Sequence, residues 1–239
     1  MEICFLWIVT AAASVINTVT GFGYGILTVA LHPFVMPAMT AVTVSGMISV
    51  VLSGSIARLE FHNICWKQLF ISLPMILIAC YLSIYFGGTL SENVIRRILG
   101  CVLFVLSLYF LFFNNKVKIR PTVLNGCLMG FLGGALQGLF GMGGPPMALY
   151  YLAVSGSKEA YMATLQMYFV LLNLAVNLMR FQRGMITEKC WKYFGILLVP
   201  MFLGIWLGSR IFCRLEEEKL RKGSYLCMAF CGIYFLTAG

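Results

Sequence analysis

Apolar runs of about twenty residues recur down this 239-residue chain, at about 3–20, 38–57, 66–88, 92–113, 121–139, 159–181, 191–212 and 219–237. A helix needs roughly 20 apolar residues to cross a hydrocarbon core of about 30 Å. The pattern therefore predicts an all-α polytopic membrane protein, a single integral membrane domain over 1–239 with about eight transmembrane helices. It leaves no room for a water-soluble domain. Charge agrees: Asp, Glu, Lys and Arg make up 10% of the residues, against about 25% in a soluble domain. The first run carries Glu2, has no basic leader and is longer than a signal-peptide core, which reads as a retained helix.

The net charge of +9 comes from Lys and Arg that fall almost entirely between the runs or near their ends. Placed there, they anchor helix ends and meet lipid phosphates, so the expected large partner is the bilayer and no nucleic acid. The nine cysteines form no CxxC and lie mostly inside the runs, as small packing residues do. His32 and His62 stand at no ligand spacing from them. No metal, cofactor loop or Ser/His/Asp grouping is present, so no cofactor is expected and the chain does not read as an enzyme.

The chain repeats itself. An offset of 125 residues lays LSENVIRRILGCVLFVLSLYFL (90–111) on LEEEKLRKGSYLCMAFCGIYFL (215–236), and pairs Arg58 with Arg183, Trp66 with Trp191 and Lys67 with Lys192. An offset of 118 lays FGYG (22–25) on FGMG (140–143). Two homologous repeats follow, at about 3–113 and 121–237, each opening on a glycine-broken segment. The short apolar pieces after the breaks, about 26–35 and 145–155, cannot cross a bilayer alone and read as half-helices buried against protein. Four spans per repeat would make the pair parallel, whereas an inverted pair needs an odd number of crossings. The positive-inside count, nine Lys and Arg on one side against eight on the other, does not decide the orientation.

Duplicated halves with matched broken helices are the pattern of secondary transporters, with the substrate between the repeats. A break at membrane depth frees backbone groups that hydrocarbon cannot satisfy. A half-helix beginning near Pro145 would turn its N–H groups and positive dipole end towards the break, which suits an anion. Gly21, Gly23 and Gly25 in the first segment, and Gly141, Gly143 and Gly144 in the second, would let backbone approach a ligand closely. Packing accounts better for the remaining glycine rows: Gly126, Gly130, Gly134 and Gly138 form one smooth helix face, as do Gly204 and Gly208.

Two polar stripes point to the same region. Ala41, Ser45, Ser49, Ser53 and Ala57 recur every four residues, with Thr43 beside them, and Gln166, Asn173 and Asn177 share a face in the second repeat. All eight acidic residues are glutamates at or beyond the ends of the runs, leaving no carboxylate for a cation site or proton relay at depth. His32 is the one titratable side chain placed at depth.

At GMGGPP (141–146), and at GFGYG (21–25) followed by LTVALHP, the sequence resembles the TauE/SafE family of membrane transporters, described as sulfite and organosulfonate exporters. The first element departs from that family's pattern at Tyr24, where glycine is common. The resemblance implies an anion exporter or permease of the bacterial cytoplasmic membrane with seven to nine transmembrane helices. The expected substrate site is Gly21, Gly23, Tyr24, Gly25, Thr43, Ser45, Gly141, Gly143, Gly144, Pro145, Gln166 and Asn173. The expected small partner is an anion, and a homodimer is compatible with the sequence. A non-transporting membrane scaffold or accessory subunit is the main rival, distinguished by the lack of any flux.

Overall fold

The computed structural model describes residues 2–87, 89–113, 120, 122–211, 226 and 229–237, which form helices and turns with no strand among them. In chain order the helices are α1 (Glu2–Thr20), α2 (Tyr24–Leu31), α3 (Ala38–Ala57), α4 (Trp66–Gly87), α5 (Glu92–Phe113), α6 (Val123–Phe140), α7 (Gly144–Val154), α8 (Lys158–Gln182) and α9 (Glu188–Ile211). Residues 229–237 are helical as well and pack on α5. Six helices, α1, α3, α4, α6, α8 and α9, are long and apolar enough to cross a membrane. The predicted fourth run forms the 22-residue α5, outside that set of six. The first part of the predicted eighth run, residues 219–225 with 227 and 228, lies outside the described residues, as do Lys116, Lys118 and Glu216 to Glu218.

Local chemistry sets the helix ends. Thr122 and Ser157 cap α6 and α8, their hydroxyls accepting from the N–H groups of Asn125 at 3.2 Å and Ala160 at 3.1 Å. At the other end of α6, Gly141 turns left-handed (φ 68°) and donates its N–H to Gln137 O at 2.9 Å. Gly21 ends α1 in the same way, with φ 84° and its N–H on Asn17 O at 2.8 Å.

After each glycine end the chain turns back. α2 returns along α1, bringing His32 Nε2 to 3.4 Å from Thr10 Oγ1. α7 returns along α6, with Met147 against Gly133 and Tyr150 against Gly126. The two predicted half-helices are thus the short arms of two helical hairpins, with a glycine break at each tip.

The long helices pack through their small residues. A Cβ on Gly130 or Gly138 would come within 3.0 Å of the Ser72 or Cys80 carbonyl of α4, and one on Gly134 would strike Ile76 O. Residue numbers rise together along this contact, so α4 and α6 run parallel. α1 and α9 also run parallel, with Gly204 against Ala11 and Gly208 against Thr18. α3 and α8 cross antiparallel, Gly46 meeting Asn177 and Gly54 meeting Val170. The core sits around this central pair and the two short arms.

Candidate functional site

The hairpin tips meet. A Cβ on Gly25, in the first turn of α2, would collide with the carbonyl oxygen of Gly141, so only glycine fits there. A Cβ on Gly144 would lie 3.5 Å from Phe22 Cβ and closer still to the Phe169 ring. Around this crossing lies a small open cavity, lined by Asn17, Gly23, Gly25 and Ile26 of the first hairpin and by Gln137, Gly141, Met142, Gly144 and Pro145 of the second. Ser49 of α3 and Phe169 and Asn173 of α8 complete it.

A chain of hydrogen bonds orients the amides. Asn173 Nδ2 donates to Phe169 O at 2.9 Å, which leaves Asn173 Oδ1 to accept from Gln137 Nε2 at 2.7 Å. Gln137 Oε1 then accepts the Gly143 N–H at 2.8 Å, so this side chain closes the second break. Each amide nitrogen keeps one proton beyond these bonds. Asn17 Nδ2, almost wholly buried, has no partner. The cavity wall therefore carries amide donors, and among the described residues no carboxylate reaches it: Glu2, Glu159 and Glu188 are exposed and Glu60 is half-buried at a helix end.

Of the two breaks expected to supply backbone groups, the second supplies fewer N–H donors: at the start of α7, Pro145 and Pro146 have no N–H, so Gly144 alone contributes one in the first three positions. α2 begins Tyr24, Gly25, Ile26, and none of these N–H groups has an intrahelical acceptor; the first such bond runs from Leu27 N to Gly23 O at 3.1 Å. The donor-rich helix start at the cavity is that of α2.

Of the residues expected from sequence, Gly23, Gly25, Gly141, Gly144, Pro145 and Asn173 line the cavity. The rest stand behind it. Gly21 is the left-handed end of α1, and its carbonyl accepts from Gln166 Nε2 at 3.0 Å. Gly143 lies in an ordinary helical conformation, and its lack of a side chain serves packing: a Cβ would be 2.5 Å from Gly133 O. Thr43 bonds its own helix at Met39 O (2.8 Å), and Ser45 is buried between helices. Tyr24, which replaces a glycine of the family pattern, points its ring into the core among residues such as Leu27 and Met36 and leaves the cavity open. His32 is buried behind α2 beside Thr10.

Ser49 comes from the serine stripe singled out in the sequence, whereas sequence reasoning missed Asn17 and Gln137 as lining residues, and it missed Arg180. Counted among the basic residues flanking the sixth run, Arg180 is 1% exposed in the last turn of α8. Its Nη2 donates to Gly138 O at 2.9 Å and its Nη1 to Val42 O at 3.3 Å. A guanidinium buried among helices with no carboxylate partner among the described residues is costly, so such a residue calls for a functional reason. For two of them the signal was readable: Asn17 and Gln137 are polar side chains inside apolar runs, and each stands four residues before a break glycine.

The fold and its central cavity define a class: a polytopic membrane protein in which two glycine-tipped helical hairpins meet inside a helix bundle. The chain belongs to the TauE/SafE family, described as sulfite exporters, whose sequence model matches residues 6–235. No curated protein and no solved structure gives a significant match.

Proposed function

We propose that this protein is a secondary transporter of a small anion, such as sulfite, a sulfonate or a related organic anion, working by alternating access in a bacterial cytoplasmic membrane. The observation that carries the reading is the cavity at the hairpin tips: its wall is built of amide and backbone donors, without a carboxylate. A site of this composition favours negative charge and disfavours metal cations.

The packing supports two homologous halves. Aligning the helix ends puts Gly21 on Gly141 and Gly23 on Gly143, a spacing of 120 residues, and puts Asn17 on Gln137. The offset of 125 makes α3 the counterpart of α8 and α4 that of α9. Each half then packs its first helix on the third helix of the other, α1 on α9 and α6 on α4. The counterparts α3 and α8 run antiparallel, which favours an inverted pair. The returning short arm is the extra segment that makes the number of passes in each half odd. Inverted halves around a central site are the geometry in which one half can rock against the other.

Reconstituted into liposomes, the native protein is expected to take up labelled sulfite or a short sulfonate, and Asn173→Leu to lose at least about tenfold of that rate with its folding intact. Equal flux in the two proteins would remove the cavity from the pathway.

A further inference from the structure

We propose that Arg180 is the residue that makes the cavity select anions. It acts by neutralising the carbonyl end of α6 at the tip of the second hairpin. The inference rests on the anion-carrier reading and gives it a specificity-determining side chain that does not itself line the cavity.

Both long arms end at the crossing, and a helix end carries a negative partial charge on its last carbonyls. Left alone, those ends would repel the ligand that the α2 donors attract. At the first tip, a neutral amide, Gln166, meets the Gly21 carbonyl. At the second, a guanidinium meets the Gly138 carbonyl, three residues before the break glycine Gly141. A strut between α8, α3 and α6 needs only a neutral donor, so what distinguishes this one is its charge. Arg180 is buried, its Nε has no hydrogen-bond partner, and among the described residues no carboxylate faces it. Its charge is therefore uncompensated except by carbonyl dipoles, and its field extends through a medium of low dielectric.

A neighbouring side chain offers a way to cancel that charge without removing the strut. Asn177 Oδ1, also without a partner, and Arg180 Nη1 both lie within 4 Å of the point where a Cβ on Gly46 would sit. Asn177→Asp would bring a carboxylate into the field of the guanidinium at nearly unchanged volume. Because the same point is 3.4 Å from Asn173 Oδ1 of the cavity, this variant is read together with Arg180→Gln, which keeps a neutral donor for the strut and removes the charge.

The test is the concentration dependence of sulfite uptake in proteoliposomes, with thermal unfolding measured in parallel. Asn177→Asp is expected to raise KM by about tenfold while retaining native thermal stability, and the uncharged Asn177→Leu to stay within about twofold of the native KM. Arg180→Lys should keep KM within about fivefold, whereas Arg180→Gln, which keeps a donor without the charge, should not; this separates charge from strut and decides the matter if Asn177→Asp fails to reach the membrane. A native KM in Asn177→Asp, or equal KM values in Arg180→Lys and Arg180→Gln, would overturn the inference and leave the carrier reading standing. No flux by the native protein would overturn both.

Discussion

At the scale of single residues, what matters at the hairpin tips is the absence of side chains. Gly25→Ala puts a methyl group into the Gly141 carbonyl and is expected to lower transport at least about tenfold, by analogy with the cost of displacing reacting groups by an ångström. Gly184 makes the contrast. It is left-handed (φ 67°) in an exposed turn with nothing within 4 Å, so Gly184→Ala should cost about 1 kcal/mol of stability and leave the transport rate unchanged. Uptake and thermal unfolding of the two variants, measured side by side, check both statements. Gln137→Leu leaves the Gly143 N–H and Asn173 Oδ1 without partners, a loss of about 1–3 kcal/mol for each buried group, which should appear as a lower unfolding temperature. The break glycines were legible because glycines followed by a proline pair interrupt a helix even where every neighbour is apolar. Arg180 was not, because a basic residue near the end of a run is usually a lipid anchor; only packing shows that α3 and α6 enclose it.

Elements were legible where length and hydropathy decide them. The six crossing helices fall on predicted runs, with ends set within a few residues by Thr122, Ser157 and the glycines. The register of the breaks was less so. Matching the letters FGYG to FGMG gives an offset of 118, but helices end by backbone geometry, and the left-handed residues Gly21 and Gly141 are 120 apart. Identity of the two phenylalanines carried the letter match; Phe22 lies beyond the end of α1 whereas Phe140 closes α6. A diproline favours a helix start and also removes its N–H groups, so α7 offers fewer backbone donors than α2. The glycine face of α6 is a packing surface, as its spacing predicted. Gly134→Leu should therefore separate α4 from α6 at a cost of about 1–3 kcal/mol or more, visible as reduced stability in detergent.

For the molecule as a whole, helix count alone left parallel and inverted halves open, because a half-helix adds nothing to a hydropathy tally. The packing directions favour the inverted pair, which labelling can test. With the exposed Cys4 and Cys101 replaced, Asn63→Cys beyond α3 and Gln182→Cys at the end of α8 should react with a membrane-impermeant maleimide from opposite sides of sealed vesicles. Labelling from the same side would mean parallel halves. The central claim, that an anion is carried by alternating exposure of the cavity between the hairpin tips, is tested most directly by counterflow in proteoliposomes: unlabelled sulfite is loaded inside and labelled sulfite offered outside. A transient accumulation of label above its equilibrium level, abolished in Gly25→Ala, is the predicted result. Entry that simply follows the gradient without such an overshoot, or no entry at all, would contradict it.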